Sequence, residues 1–390
     1  MIYLDNSATT PLSPAAAEAM REAMETFGNP SSLHAAGQAA HALLSRARGQ
    51  VAGALGVKNP KAGELIFTAS GTEANATAIW GTVHAKARRH ASRIVTTDCE
   101  HPSVEEMMRR MEAEGLEVVR IPTKNGVLDM EAALFALEKP TLLVSMMMVN
   151  NETGAAFDVG RVFAAAKARD ADTVTHCDAV QGFLKIPFTP AAIHADLVTV
   201  SAHKIHGPKG VGALYVSPET VKTRRLVPLV PGGGQESGLR SGTENVIGIC
   251  GFGAAAAEGA SRRAEDIARM QSLRDALEAR LTAMGVGVQI NRPAEARAPH
   301  IVSLTLPDIK SQTMLNFLSG KGICVSSGSA CSSHAHAQRV SASLSAFGLS
   351  AHAADCTIRV SLSAQNTEED VIALSAALDA GIRGLVRIRR

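Results

Sequence analysis

The run T-L-L-V-S-M-M-M at 141–148, a helical pattern over about 158–169, and D-T-V-T-H-C at 172–177 together decide the fold. The first run is short, mostly apolar and lacks the alternation of a half-exposed strand, which reads as a strand covered on both faces. The same rhythm extends toward the N-terminus, with E-L-I-F-T at 64–68 and a helix from Thr72, then R-I-V-T-T at 93–97 and a helix after Pro102. E-V-V-R-I at 117–121 precedes a helix from Asp129, and D-L-V-T-V-S at 196–201 continues the pattern on the C-terminal side. Strands alternating with helices of this length predict an α/β protein with a mainly parallel sheet and helices on both faces.

Upstream of the sheet, Ser13-Pro14 starts a helix that should stop at Gly28, and a second helix is expected from about His34 to Leu55. Past residue 250 the pattern changes. Ile267, Met270, Leu273, Leu277, Leu281 and Met284 recur at helical spacing, followed by I-V-S-L-T-L at 301–306, a helix near 311–320 and I-R-V-S-L at 358–362. A smaller α+β unit is expected to close the chain. At roughly 150 residues per domain the length allows two or three, and the pattern favours two: 15–250, large and cofactor-binding, and 1–14 plus 251–390, small.

Composition narrows the function. The chain has 390 residues and a net charge of +2, so no strongly basic surface for bulk nucleic-acid binding is expected. With 3% aromatic residues it offers few stacking platforms for bases. Six cysteines without a C-x-x-C pair read as reduced thiols, which suits the cytoplasm. The N-terminus M-I-Y-L-D-N-S-A-T-T has neither a basic nor an apolar leader region, and no run reaches the ~18 apolar residues of a membrane span, so neither export nor a membrane partner is expected.

The polar residues are informative by position. His101, Asn151, Asp178 and Lys204 each fall within a few residues of the C-terminal end of an expected strand. In an open parallel sheet that edge is where ligands bind. S-G-T at 70–72 joins a strand to a helix, so the amides of Gly71 and Thr72 would face an anion above the helix N-terminus. In S-A-H-K-I-H-G-P-K-G-V-G at 201–212, Lys204 follows a buried strand between Ser201, His203 and a Gly/Pro turn. Desolvation there would lower its pKa and make it nucleophilic, as a Schiff base with an aldehyde cofactor requires. If that cofactor is pyridoxal phosphate, Asp178 would keep the pyridine nitrogen protonated and Gln181 would reach the ring oxygen. His101 would lie over the ring, and Thr72, Ser201 and His203 would hold the phosphate.

These segments resemble the cysteine desulfurases of the class V aminotransferase fold. The matching stretches are Y-L-D-N-S-A-T-T at 3–10, N-P-S-S-L-H at 29–34, S-G-T-E-A-N at 70–75, E-H-P-S-V at 100–104, N-N-E-T-G at 150–154 and D-A-V-Q at 178–181. They continue with the Lys204 segment, G-G-G-Q-E-S-G-L-R-S-G-T-E-N at 232–245, S-S-G-S-A-C at 326–331 and I-R-V-S-L at 358–362. The resemblance implies the transferase fold, pyridoxal 5'-phosphate on Lys204, and the ring and phosphate roles just given. It also implies that Thr243 reaches the phosphate of the neighbouring subunit in a homodimer, and that Asn151 and Arg359 take the carboxylate of L-cysteine. Sulfur would pass to a protein acceptor, an iron–sulfur scaffold or a tRNA-thiolation enzyme.

Of the six cysteines, Cys331 stands apart. It lies among small residues in S-S-G-S-A-C-S-S-H-A-H-A, which should form an accessible, mobile loop, with His334 and His336 near enough to promote the thiolate. The other five read as small buried hydrophobes. A single Cys with two His lacks a fourth ligand, so no metal is expected. Cys331 is instead expected to attack the substrate sulfur. The chain departs from the family at Ala76, at Ser333 and His334, and over 340–344, where a Pro and a His are replaced. A selenocysteine lyase or another class V transferase is the rival enzyme, and a catalytically silent iron–sulfur assembly scaffold is the rival of another class.

Overall fold

The computed structural model describes residues 1–85, 91–327 and 341–387. Its main sheet has seven strands in the order Leu65–Thr68, Gly212–Val216, Leu197–Ser201, Val174–Asp178, Leu143–Met147, Arg93–Thr97 and Glu117–Ile121. The last five run parallel to one another, and Gly212–Val216 is antiparallel to both neighbours. Pleating sends successive residues to opposite faces. Leu65, Phe67, Val95 and Val144 therefore join one buried cluster, while Ile66, Ile94 and Leu143 join another on the far side. Both faces are covered, as the near-continuous apolar runs require.

The helices begin where the sequence carries caps. Ser13, Ser70, His101, Asp129 and Asp158 each accept a hydrogen bond from a first-turn amide, and Pro14 and Pro102 occupy first-turn positions. The helix Pro14–Glu25 ends at Thr26, two residues short of the expected Gly28.

A second sheet has the order Gln289–Ile290, Ile301–Thr305, Thr357–Ser361 and Ser326–Ser327, all antiparallel. Leu4, Leu277, Leu304, Ile358 and Val360 pack in its core. The strand Ile2–Tyr3 pairs with Ile323–Cys324, so the first residues of the chain join this half.

Three elements correct the sequence reading. The Gly/Pro turn after Lys204 leads into the strand Gly212–Val216, which pairs on one side with the preceding strand Leu197–Ser201 and on the other with Leu65–Thr68, remote in sequence. A Cβ on Gly212 would come within 2.4 Å of the Ser70 carbonyl carbon, so glycine is what lets this strand reach the start of the helix Gly71–Val83. The long helix starts at Val246, well before the first periodic residue, Ile267, and Glu368–Arg387 forms a helix the sequence reading did not include. No helix among the described residues is long and apolar enough to cross a membrane.

Candidate active site

A cavity of about 340 Å³ opens at the C-terminal edge of the parallel strands. Gly71, Thr72, His101, Asn151 and Asp178 line it, as do Gln181, Ser201, His203, Lys204 and, from the second sheet, Arg359. Ten residues singled out in the sequence thus meet in one place. Thr243 is exposed and does not line the cavity. Cys331, His334, His336 and Val340 lie outside the described residues.

Most of these side chains sit at or just beyond a strand end, whereas Arg359 lies mid-strand in Thr357–Ser361 and Gly71 and Thr72 open the helix Gly71–Val83. Lys204 closes a single 3₁₀ turn, Ala202–Lys204, directly after Leu197–Ser201. Its Nζ donates to the carbonyls of Ser7 at 2.6 Å and Ala8 at 2.8 Å. Asp178 ends its strand, and its carboxylate accepts from Asn75 Nδ2 at 2.7 Å and from the Val180 amide at 3.0 Å. His101 caps the helix Pro102–Ala113. The Ser103 amide donates to His101 Nδ1 at 3.1 Å, and Ser103 Oγ lies 2.8 Å from the same nitrogen. Two donors on Nδ1 put the neutral ring's proton on Nε2. Burial, opposed by Asp178 and reinforced by Lys204, holds this imidazole below its ordinary pKa.

His203 contacts Thr9 Oγ1 through Nδ1 at 3.2 Å, and burial with nearby lysines lowers its pKa to about 4. It is therefore neutral at physiological pH. Gln181 donates to the Ser7 carbonyl at 3.0 Å, and its Oε1 lies 3.3 Å from His300 Nε2. Arg359, 4% exposed, donates to Asp5 Oδ1 at 2.9 Å and to the Asn151 carbonyl at 3.0 Å. Its Nε has no hydrogen-bond partner among the described residues.

Several of these supports escaped the sequence reading. Asn75, Ser103, Asp5 and the carbonyls of Ser7 and Ala8 fall inside the matched stretches or beside them, but nothing in the spacing marks which polar atom each will face. Glu152 is another: Ser341 Oγ donates to its Oε2 at 2.7 Å, and burial raises its carboxyl pKa to about 7. Of the five cysteines expected to be buried, Cys99, Cys177, Cys250 and Cys356 are, whereas Cys324 is half-buried on a short two-residue strand.

A parallel sheet with a lysine, a carboxylate and an imidazole at its C-terminal edge, beside a helix N-terminus, defines a class, and the chain belongs to the class-V aminotransferase family, whose model matches residues 2–374. Enzymes of this family work with pyridoxal phosphate. Within the family the chain is similar to a cysteine desulfurase of Enterobacter agglomerans, 39% identical over 376 residues, covering 95% of this chain and 90% of the relative. It is 36% identical to the cysteine desulfurase IscS of Dictyoglomus turgidum, over 100% of this chain and 95% of the relative. Among solved structures, a NifS-like protein superposes with a TM-score of 0.88 at 35% identity, covering 97% of this chain and 98% of the other. The structure of SspA in complex with cysteine gives 0.79 at 28% identity, covering 94% of this chain and 100% of the other.

Proposed function

We propose that the chain is a pyridoxal-phosphate cysteine desulfurase that converts L-cysteine to L-alanine and delivers the sulfur to Cys331 as a persulfide. The observation that carries this reading is the meeting of Lys204, Asp178, His101 and Arg359 in one cavity of a chain similar to cysteine desulfurases over nearly its full length.

The donor set fits the cofactor. Ser201 Oγ is buried with no hydrogen-bond partner among the described residues, beside the amides of Gly71 and Thr72 at a helix N-terminus. A Cβ on Gly71 would come within 3.0 Å of Val180 Cγ2 and 3.5 Å of Ser201 Cβ, filling this cradle. Ser201, Thr72, His203 and the two amides would hold the phosphate. Thr243 would do so across a homodimer interface, which the exposed Phe27 and Leu33 support.

When bound, pyridoxal phosphate supplies an electron-accepting ring that stabilises charge developing at the substrate Cα. Asp178 would keep the ring nitrogen protonated, Gln181 would hold the ring oxygen, and His101 would lie against the ring. Arg359 and Asn151 orient the substrate carboxylate, the guanidinium by its planar fork. Lys204, which would anchor the cofactor, would take the Cα proton on Nζ. The Cys331 thiolate attacks the substrate sulfur, so an S–S bond forms and the Cβ–S bond breaks with its electron pair left on the carbon skeleton that becomes alanine.

The flanks of residues 328–340 support that reach. Ser326 pairs with Arg359, and Ser341 hydrogen-bonds Glu152, the neighbour of Asn151. A division into a large unit, 15–250, and a small one, 1–14 plus 251–390, is supported by two sheets with separate cores, although Phe252 and Ala256 beyond the boundary belong to the large core. The persulfide would go to a protein acceptor of iron–sulfur or tRNA-thiolation type in the cytoplasm.

The test is to supply the purified protein with cysteine and measure alanine and sulfide release with and without Cys331→Ala. The variant should keep the absorbance of bound cofactor and lose sulfur transfer, and Lys204→Ala should lose that absorbance. Turnover at the wild-type rate in Cys331→Ala would remove Cys331 from the reaction and favour another class V transferase.

A further inference from the structure

Behind Lys204 lies a second cavity, of about 60 Å³, which Lys204 shares with Lys185, Thr10, His206, Asp266 and Ser363. It is several times larger than the ~10–15 Å³ that one water needs. Lys185 is 8% exposed, and its Nζ meets no hydrogen-bond partner among the described residues. An ammonium buried without an acceptor is costly, so the group favours its neutral amine. Burial and then the charge of Lys204 lower its pKa to about 7.

The surroundings agree. Lys204, His203 and His206 come from the turn after the strand Leu197–Ser201, and His300 from the approach to Ile301–Thr305. All three histidines are shifted downward by burial, with Lys185 among the further causes. On the long helix, Asp266 and Glu258 act on His206. Lys185 forms no ion pair with either.

We propose that Lys185 is a positioning residue for the proton held by Lys204: through water in the shared cavity it accepts that proton and exchanges it with solvent past His206 and Asp266. The inference rests on the desulfurase reading. The substrate Cα–H bond breaks and an N–H bond forms at Lys204. That N–H then breaks as the proton passes to the Lys185 lone pair, and Lys185 returns a proton to solvent. No electron changes hands.

The experiment supplies the holoenzyme with cysteine deuterated at Cα in ordinary water and measures deuterium in both product alanine and recovered cysteine by mass spectrometry. The wild type at about pH 8 should lose most of the label, because neutral Lys185 accepts it. Lys185→Met should retain about fivefold more, and Lys185→Arg should also retain it, since a guanidinium stays protonated. Label retention is the partition between return to carbon and exchange with solvent, so a variant that is merely slower to return the deuteron retains less label, the opposite of the rise expected here.

The wild type gives an independent reading. As pH falls through about 7, Lys185 gains its proton, loses its accepting lone pair and label retention should rise. This arm decides the matter even if Lys185→Met does not fold. A wild-type label content in Lys185→Met, or a flat retention profile in the wild type, overturns the proposal. Absence of alanine from the wild type overturns the desulfurase reading instead, and the label in recovered cysteine still reads the relay.

Discussion

One carboxamide couples two side chains assigned to the cofactor. Asn75 Nδ2 donates to Asp178 Oδ2 at 2.7 Å and to Ser103 Oγ at 2.9 Å, and Ser103 Oγ in turn meets His101 Nδ1. Asn75→Ala should therefore loosen Asp178 and His101 together. Leaving buried partners without a donor costs about 1–3 kcal/mol, which predicts a kcat lower by roughly 10- to 100-fold with the cofactor absorbance retained. A kcat within twofold of wild type would show that the network does not position the two groups. The primary residues were legible because each follows a strand at the edge where such sheets bind ligands. Asn75 lay in plain sight within T-E-A-N, but its neighbours in space, Asp178 and Ser103, are remote in sequence. Neither Lys185 nor Glu100 was singled out in the sequence, since burial of a charged side chain leaves no mark in the local pattern.

Among the elements, the two parallel strands Arg93–Thr97 and Leu143–Met147 are joined at their site-facing ends by Glu100. Its Oε1 accepts from Thr97 Oγ1 at 2.6 Å and from the Met147 amide at 2.9 Å. Burial raises the carboxyl pKa from 4.5 to about 8, against the lowering effect of these bonds. Below 4.5 both folded and unfolded chains carry the proton; between 4.5 and about 8 the folded chain holds it more tightly, so stability falls as pH rises through that window. Glu100→Gln keeps a neutral group of the same shape and should remove this decline, on the order of a few kcal/mol, read as the change in urea stability between about pH 5 and pH 8.5. Equal declines in wild type and variant would mean that Glu100 does not carry the proton. The element scale was also where sequence reading lost most. G-A-L-Y-V at 212–216 is short, apolar and preceded by glycines, so a turn masked a strand that folds back on Leu197–Ser201 and takes its other antiparallel partner from distant Leu65–Thr68. Three of the five parallel strands, Arg93–Thr97, Glu117–Ile121 and Leu143–Met147, were readable because a helix follows each one before the next strand of the sheet.

Across the whole molecule, the two halves share elements rather than touching at a surface. In the helix Val246–Met284, Ile249, Phe252 and Ala256 belong to the core of the seven-stranded sheet, whereas Leu273, Leu277 and Leu281 belong to that of the smaller sheet. The N-terminal segment does the same within a few residues: Leu4 is fully buried in the smaller core, the carbonyls of Ser7 and Ala8 hold Lys204, and the Thr10 amide bonds the His203 carbonyl at 2.9 Å. Unfolding either half would unwind a helix or strip a segment that the other needs, which predicts one cooperative transition. Trp80 is the single tryptophan and packs against the cluster on the far face of the large sheet, so its fluorescence reports that half alone. Leu277→Ala empties a fully buried site in the other half and should cost about 2–5 kcal/mol. If the halves are coupled, the urea midpoint followed by Trp80 fluorescence falls together with the midpoint followed by far-UV circular dichroism, because a cavity in one core weakens a single shared transition. A Trp80 midpoint that stays at the wild-type value while the dichroism curve splits would show that the long helix joins the two cores without coupling them.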